Sequence, residues 1–191
     1  QSLTEPASVF TAPLKRNVKG VRIGWLGNLG GIPMEAGMVE FCLAALRRLE
    51  SAGCMIEPAA FGMTHEAIWA PFVTLRQGFI AGIAAPFYKN PAKREMLKPE
   101  AIWEVEGGMK LSALELYDAS IQRTAVYQAF RTLFERYDFL ALPSAQVSPF
   151  SADLHWPKEV AGVAMDSYHR WMEIVAAATL AGLPTVAVPA G

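Results

Sequence analysis

The side chains best suited to chemistry lie around a long proline-rich loop in the second half of the chain. Ser144 follows the apolar run FLALP, at the carboxyl end of a predicted strand, where α/β proteins place their sites. Asp153 and His155 lie downstream, so the residue types of a nucleophile, a base and an orienting acid are present. The nucleophile elbow G-x-S-x-G is absent, and Asp-Leu-His within one loop orients no base by itself. These residues alone therefore define no catalytic triad.

A metal site is the second chemistry that these side chains could support. Asp166 and His169 lie at the start of a predicted helix, and with Asp153 and His155 they would supply carboxylate and imidazole ligands. An acidic residue at a helix start is explained more simply by the helix dipole, which favours negative charge there. We therefore predict no metal ligand and no cofactor.

A glycine-rich turn, VRIGWLGNLGGIPM, lies between a predicted strand and a predicted helix, as in phosphate-binding loops. Gly24, Gly27 and Gly30 give the spacing G-x-x-G-x-x-G, whereas a dinucleotide site requires G-x-G-x-x-G. No lysine completes a P-loop. The pattern favours a plain turn, and the alternative is a self-standing module that binds a small anion or a nucleotide.

Aromatic side chains gather around the long loop and the segment that follows it, namely Phe150, Trp156, Tyr168 and Trp171. Packing within the core is the simpler interpretation of this set. The alternative is that the loop and the following helix wall a cleft for an organic substrate.

The hydrophobic pattern predicts the elements that position these residues. Strands are predicted at 21–26, 54–59, 139–143 and 185–189, and helices after Met34, from Thr64 to about Ala84, within 91–97 and 99–106, from Ser112 to about Arg136, and at 167–181. Strands alternating with helices predict an α/β fold, part of a mixed, largely parallel open sheet flanked by helices. Residues 1–19 are predicted to be a lead-in loop.

Two helices have predicted inner faces. The first uses Met38, Phe41, Cys42, Ala45, Leu46 and Leu49, and the longest uses Leu114, Tyr117, Ile121, Val126, Phe130, Leu133 and Tyr137. Ser112 and Glu115 form a capping box, and Thr64 is a predicted N-cap.

Composition excludes some classes of function. Of 191 residues, 17 are Lys or Arg and 18 are Asp or Glu, and they are interspersed, so the chain lacks the basic face of a nucleic-acid binder. We see no transmembrane span or signal peptide. Two cysteines without metal-like spacing indicate a reducing compartment, by default the cytoplasm. The chain begins at Gln1 and stops after a predicted strand, so we expect a single α/β unit, 1–191, that is a fragment of a longer polypeptide.

Several segments together resemble the amidase signature family. They are KGVRIGWLGN, YDFLALPSAQVSPF and SYHRWMEIVAAATLAGLPTVAVPAG, and the matching positions in the last are Thr179, Leu180, Ala181, Gly182, Pro184, Val188, Pro189 and Gly191. The resemblance spans nearly the whole chain and implies that residues 1–191 are the C-terminal part of a longer amidase domain. The form of the segment from Tyr168 to Met172 looks more like bacterial broad-specificity amidases than like the transamidation subunit used for charged tRNA.

This resemblance implies an enzyme that hydrolyses carboxylic amides to an acid and ammonia or an amine. The family uses a serine nucleophile, a cis-serine and a lysine, with backbone N–H groups as the oxyanion hole. No Ser-Ser pair occurs here, so no catalytic residue is carried over, and we expect the chain to be inactive alone. The resemblance instead implies a substrate-cleft lining by Ser144, Trp171, Ala187, Val188 and Pro189.

The resemblance also implies a small-molecule amide as the partner, without a cofactor. We predict no nucleic-acid or membrane partner, and a homodimer stays open. A third alternative is a partner-binding domain with apolar edges.

Overall fold

The computed structural model describes residues 4–13, 15 and 17–190. Its strands are β1 (Arg22–Trp25), β2 (Met55–Pro58), β3 (Phe139–Ala141), β4 (Glu159–Val160) and β5 (Val163–Ala164). Its α-helices are α1 (Met38–Arg47), α2 (His65–Tyr88), α3 (Pro91–Arg94), α4 (Pro99–Gly108), α5 (Ala113–Phe134) and α6 (Ala176–Ala181). Short 3-10 helices span Ala7–Thr11, Arg48–Ala52 and Arg170–Val175.

The first three strands form a parallel sheet in the order β2-β1-β3. This confirms the predicted α/β class and the first three predicted strands. Gly24 lies at the centre of β1, and a Cβ there would come within 2.8 Å of the side chains of Leu140 and Tyr137. Any side chain at Gly24 would therefore force Leu140 and Tyr137 to shift, which favours glycine at this position of β1.

The core lies beyond the carboxyl end of β1, where α2, α5 and α6 meet the glycine-rich turn. Its buried members are Leu26, Leu29, Ile32, Phe61, Ile68, Val126, Phe130, Ile174, Ala177, Leu180 and Ala181. The rings of Phe61 and Phe130 lie 4.5 Å apart between centroids. This cluster joins the turn after β1 to the C-terminal helix.

The predicted helix starts of α2 and α5 are confirmed by their capping bonds. Thr64 Oγ1 accepts a hydrogen bond from the N–H of Ala67. Ser112 and Glu115 form the reciprocal capping box, in which the Ser112 N–H donates to Glu115 Oε2 at 2.7 Å. The short helices α3 and α4 also lie within or close to their predicted ranges.

The predicted inner face of α5 is wrong over its first half. Leu114, Tyr117 and Ile121 are exposed, whereas Val126 and Phe130 are buried as predicted. The face that packs inward begins instead at Leu116, whose side chain crosses α2 at Gly78. On this face Leu116 is followed by the buried Ala119 and then by Val126 and Phe130.

Helix α1 is shorter and more exposed than predicted. It ends at Arg47, and a 3-10 helix continues to Ala52. Phe41 and Leu49 of the predicted inner face are exposed, and α1 contains no buried residue. One face of α1 is only partly covered by the rest of the described structure.

The C-terminal segment departs most from prediction. The predicted helix 167–181 is a 3-10 helix followed by the short α6, and Gly182 ends α6 at φ 67°. Residues 183–190 form no strand, so the predicted strand 185–189 is wrong. The predicted family match at Gly191 lies outside the described residues, as do residues 1–3, 14 and 16 of the predicted lead-in loop.

The long loop contains a hairpin that the sequence did not predict. Strands β4 and β5 pair antiparallel across Ala161 and Gly162, which have φ of 50° and 80°. Two positive φ angles are typical of a type I′ turn, where the first position is more often Asn or Gly. Because Ala161 occupies that position, the sequence lacks the Asn-Gly or Gly-Gly pair that usually predicts a hairpin.

Helix α2 is the one described helix whose length and mean hydropathy, 1.2 over its best window, would suit a membrane span. Core helices of soluble proteins meet the same measure. Here α2 packs against α4, α5 and α6, and its Arg76 forms an ion pair with Glu104.

Candidate substrate-cleft wall

Ser144 is exposed at the carboxyl end of the sheet, three residues after the end of β3 and directly after the buried Pro143. The position agrees with the predicted strand end. No hydrogen bond from its hydroxyl is found within residues 17–190. Ser144 is therefore accessible to solvent, and no base is hydrogen-bonded to its hydroxyl in the described structure.

Gln146, two residues further on, was missed by the sequence analysis. Its side chain is completely buried and bonds the main chain at two distant points: Nε2 donates to the carbonyl of Pro33 at 3.0 Å, and Oε1 accepts from the N–H of Ile174 at 3.1 Å. Its own carbonyl accepts from the N–H of Glu35 at 2.8 Å. One amide thus joins the turn after β1, the loop after β3 and the segment of Trp171. A lone Gln in a loop gives no sequence signal for such partners.

The aromatic residues singled out in the sequence do come together. Trp171 is half-buried, and its ring meets Phe150 edge-on at 5.3 Å and Tyr168 at 6.4 Å between centroids. Trp156 packs edge-on against Tyr168 at 6.3 Å. Edge-to-face pairs at these distances add to the energy of burial. Phe150 is itself partly exposed and also lines an open groove of about 250 Å³ with Glu35 and the β4–β5 hairpin.

The segment of Trp171 begins at His169, whose buried ring lies in a charged cluster. Arg76 Nε of α2 donates to His169 Nε2 at 3.1 Å and to Glu104 of α4, and His169 Nε2 lies 3.2 Å from Glu104 Oε1. Burial and the Arg76 charge lower the pKa of His169 to about 4, so the imidazole is neutral at pH 7. Burial raises the pKa of Glu104.

A second charged cluster follows Trp171. Glu173 is 1% exposed, and its Oε1 lies 3.0 Å from Nδ1 of His65, at the start of α2. Arg170 Nε lies 3.1 Å from the other oxygen of Glu173. The Arg170 guanidinium also pairs with Glu66 and stacks on Trp69 at 4.9 Å. Burial raises the pKa of Glu173 above its usual range.

The side chains considered for a triad or a metal are dispersed. His155 Nε2 contacts Glu100 of α4 at 3.1 Å, whereas His169 lies against Glu104. Asp166 accepts a hydrogen bond from the hydroxyl of Ser167, and Asp153 is exposed. Over the described ranges, no three His, Cys, Asp or Glu side chains gather in a metal-binding group. The two histidines instead place the long loop and the segment that follows it against one helix, α4.

The C-terminal candidates lie apart from these contacts. Ala187, Val188 and Pro189 are exposed, and no hydrogen bond from residues 186–190 to another element is found in the part of the chain that the structure describes. Trp171 is thus part of a packed aromatic surface, whereas residues 187–189 are not. That the five predicted residues line one cleft stays a prediction.

The glycine-rich turn uses its N–H groups internally. The N–H of Leu29 donates to the carbonyl of Leu26, and those of Gly31 and Ile32 donate to the carbonyl of Asn28. Leu29 and Ile32 are buried in the core. These contacts favour the structural interpretation of the turn over the binding of an anion.

A parallel sheet flanked by helices places this chain in the α/β class of folds. The chain belongs to the amidase family, whose model, Amidase, matches residues 1–191. The predicted resemblance is thereby confirmed.

Two kinds of enzyme are found among the curated relatives. A glutamyl-tRNA(Gln) amidotransferase chain of Moorella thermoacetica is 25% identical, covering 97% of this chain and 41% of that protein. The acylamidase of Rhodococcus erythropolis is 22% identical, covering 100% of this chain and 39% of that protein. The chain therefore spans about 40% of the length of these relatives. Because both kinds of enzyme match, the predicted preference for a broad-specificity amidase stays a prediction.

Solved structures agree on the fold. A bacterial aryl acylamidase of the amidase signature family superposes with a TM-score of 0.76 at 18% identity, over 95% of this chain and 40% of that one. A second amidase gives a TM-score of 0.71 at 16% identity, over 93% of this chain and 41% of that one.

Proposed function

We propose that this chain is part of an amidohydrolase that cleaves carboxylic amides to an acid and ammonia or an amine through a serine nucleophile. The observation that carries the proposal is the family match over all 191 residues. The acylamidase among the relatives and the aryl acylamidase among the solved structures support hydrolysis of an amide. The substrate is a small-molecule amide.

The chain's role in this reaction is to supply sheet and cleft wall. No adjacent serine pair occurs in the sequence, so the nucleophile and its lysine would come from polypeptide outside these residues, and the chain alone would be inactive. The half-buried Trp171, braced by Phe150 and Tyr168, offers a rigid apolar surface against which an acyl or amine group packs. Holding the amide in one orientation lowers the entropic part of the barrier.

The remaining assignments follow from the same proposal. Ser144 at the sheet edge and the exposed residues 187–189 complete the wall. The enzyme acts in the cytoplasm without a cofactor, and its partner is the substrate rather than nucleic acid or a membrane. A homodimer is compatible with all of these assignments.

The test is release of ammonia or amine from a panel of aliphatic and aromatic amides. We expect turnover by the full-length protein and none by the 191-residue chain. Trp171→Ala in the full-length protein should raise KM for an aromatic amide about tenfold or more, whereas Trp171→Phe, which keeps a ring, should change it less. Turnover by the isolated chain, or an unchanged KM in Trp171→Ala, would contradict the assigned role.

A further inference from the structure

The segment that carries Trp171 is contacted on both sides by polar side chains of α2. On one side, Arg76 contacts His169, and on the other, His65 contacts Glu173. Both contacts join positions far apart in sequence, so they fix the segment to the body of the molecule rather than to its own neighbours.

The backbone of this segment has little regular structure to hold it. It is a 3-10 helix with poor hydrogen-bond geometry, and Met172 departs from helical angles at φ −120° and ψ 22°. Its placement therefore depends on side chains. Gln146 accepts a hydrogen bond from the N–H of Ile174, Arg76 donates one to the neutral His169, and His65 bonds Glu173.

The burial of the Glu104 and Glu173 carboxylates indicates a role other than stabilising the fold. Glu104 is 4% exposed and Glu173 1%. A buried ion pair recovers its desolvation cost only with excellent geometry, and apolar residues in its place are often as stable or more so. Directional bonds, unlike apolar contacts, fix the orientation of what they hold.

We propose that Glu104 and Glu173 are positioning residues that hold Trp171 in its orientation in the cleft wall and thereby set the preference of the enzyme for bulky amides. This rests on the proposed function. Neither carboxylate is proposed to touch substrate. Glu104 acts through Arg76, which donates to His169, and Glu173 acts through its own segment, residues 169–173. The class of substrate affected is an amide whose acyl or amine group is large enough to reach the Trp171 ring.

The test uses the full-length protein and two substrates, an aromatic amide and acetamide. Glu104→Gln and Glu173→Gln remove the charge and keep the shape of the side chain. We expect KM for the aromatic amide to rise about ten- to a hundredfold, since small misplacements of binding groups are costly. KM for acetamide and kcat for both substrates should change less than about threefold.

Glu106→Gln is the matched control. Glu106 lies on the same helix as Glu104 and also pairs with an arginine, Arg94 at 3.2 Å, but its side chain is 42% exposed. We expect no change in KM for either amide. Arg76→Lys, which keeps the charge but loses the planar fork, is a milder variant should Glu104→Gln unfold, and it should shift KM in the same direction.

A double-mutant cycle separates positioning from a merely structural role. In a Trp171→Ala background, Glu104→Gln should add nothing to KM for the aromatic amide, because the group it positions is gone. Additive effects, or an equal rise in KM for acetamide, would overturn the positioning role while leaving the amidase assignment intact. If Trp171→Ala alone leaves KM unchanged, the cleft-wall assignment fails, and the positioning role fails with it.

Discussion

Residues 169–175 and residues 183–190 flank α6 and are held in opposite ways. In the first, His169 and Glu173 are buried and bonded to α2, and the N–H of Ile174 is bonded to Gln146. In the second, side chains such as Val188, 72% exposed, lie on the surface. Both segments are rich in apolar residues. Long-range polar partners, rather than apolar content, therefore determine how firmly each of these two segments is held.

Removal of Glu173 should weaken the segment 169–175 most. Glu173→Ala leaves Arg170 and His65 without their buried carboxylate, so we expect the free energy of unfolding of the full-length protein to fall by about 3–5 kcal/mol. Glu66→Ala is the control, because Glu66 pairs with the same Arg170 from an exposed position. It should cost less than about 1 kcal/mol. Chemical denaturation of both variants measures the difference, and equal losses would mean that burial of Glu173 is unimportant.

The second prediction concerns the pH dependence of the same segment. The pKa of His169 is lowered from 6.5 to about 4 in the folded state. Between pH 6.5 and pH 4 the imidazole therefore binds a proton in the unfolded state but not in the folded state. Stability is therefore lost as the pH falls from 6.5 towards 4, by up to about 3 kcal/mol. Glu104 opposes this loss, since its raised pKa lets the folded state bind a proton more readily than the unfolded state does. Arg76 and Glu100 are the other charges acting on the imidazole.

His169→Gln tests this assignment, because it removes the titrating imidazole. Unfolding by urea at pH 6.5 and at pH 4.5 should show a smaller loss of stability in the variant than in the unmodified protein. His155→Gln is the control, since His155 is exposed and contacts Glu100 at the surface. A loss in His169→Gln as large as in the unmodified protein would place the acid sensitivity elsewhere.

Local signals in the sequence predicted the elements well and the long-range contacts poorly. The capping box at Ser112 and Glu115 and the cap at Thr64 involve residues three apart, so the pattern alone defined those helix starts. The hydrogen-bond partners of Gln146, Glu104 and Glu173 lie 28 to 113 positions away along the chain, and no local sequence pattern predicts them.

The inner face of α5 shows the same limit. Leu114, Tyr117 and Ile121 follow a helical period as well as the true inner face does, so periodicity could not choose between two apolar stripes. Packing against α2 determines which stripe faces inward, because Gly78 leaves room for the side chain of Leu116. The family resemblance, by contrast, was recognisable because its motifs keep their order along the whole chain.

Val188 lies in the other segment, residues 183–190, and should contribute little to stability. In the 191-residue chain, Val188→Ser changes a side chain that is 72% exposed and packs against little, so the free energy of unfolding should move by less than about 0.5 kcal/mol. In the full-length protein the same substitution should raise KM for an aromatic amide, because Val188 is proposed to line the cleft. Val186→Ser is the control, since Val186 is also exposed but is not a proposed lining residue. A large loss of stability in the 191-residue chain would mean that residues 183–190 are held as firmly as residues 169–175, and an unchanged KM would remove Val188 from the wall.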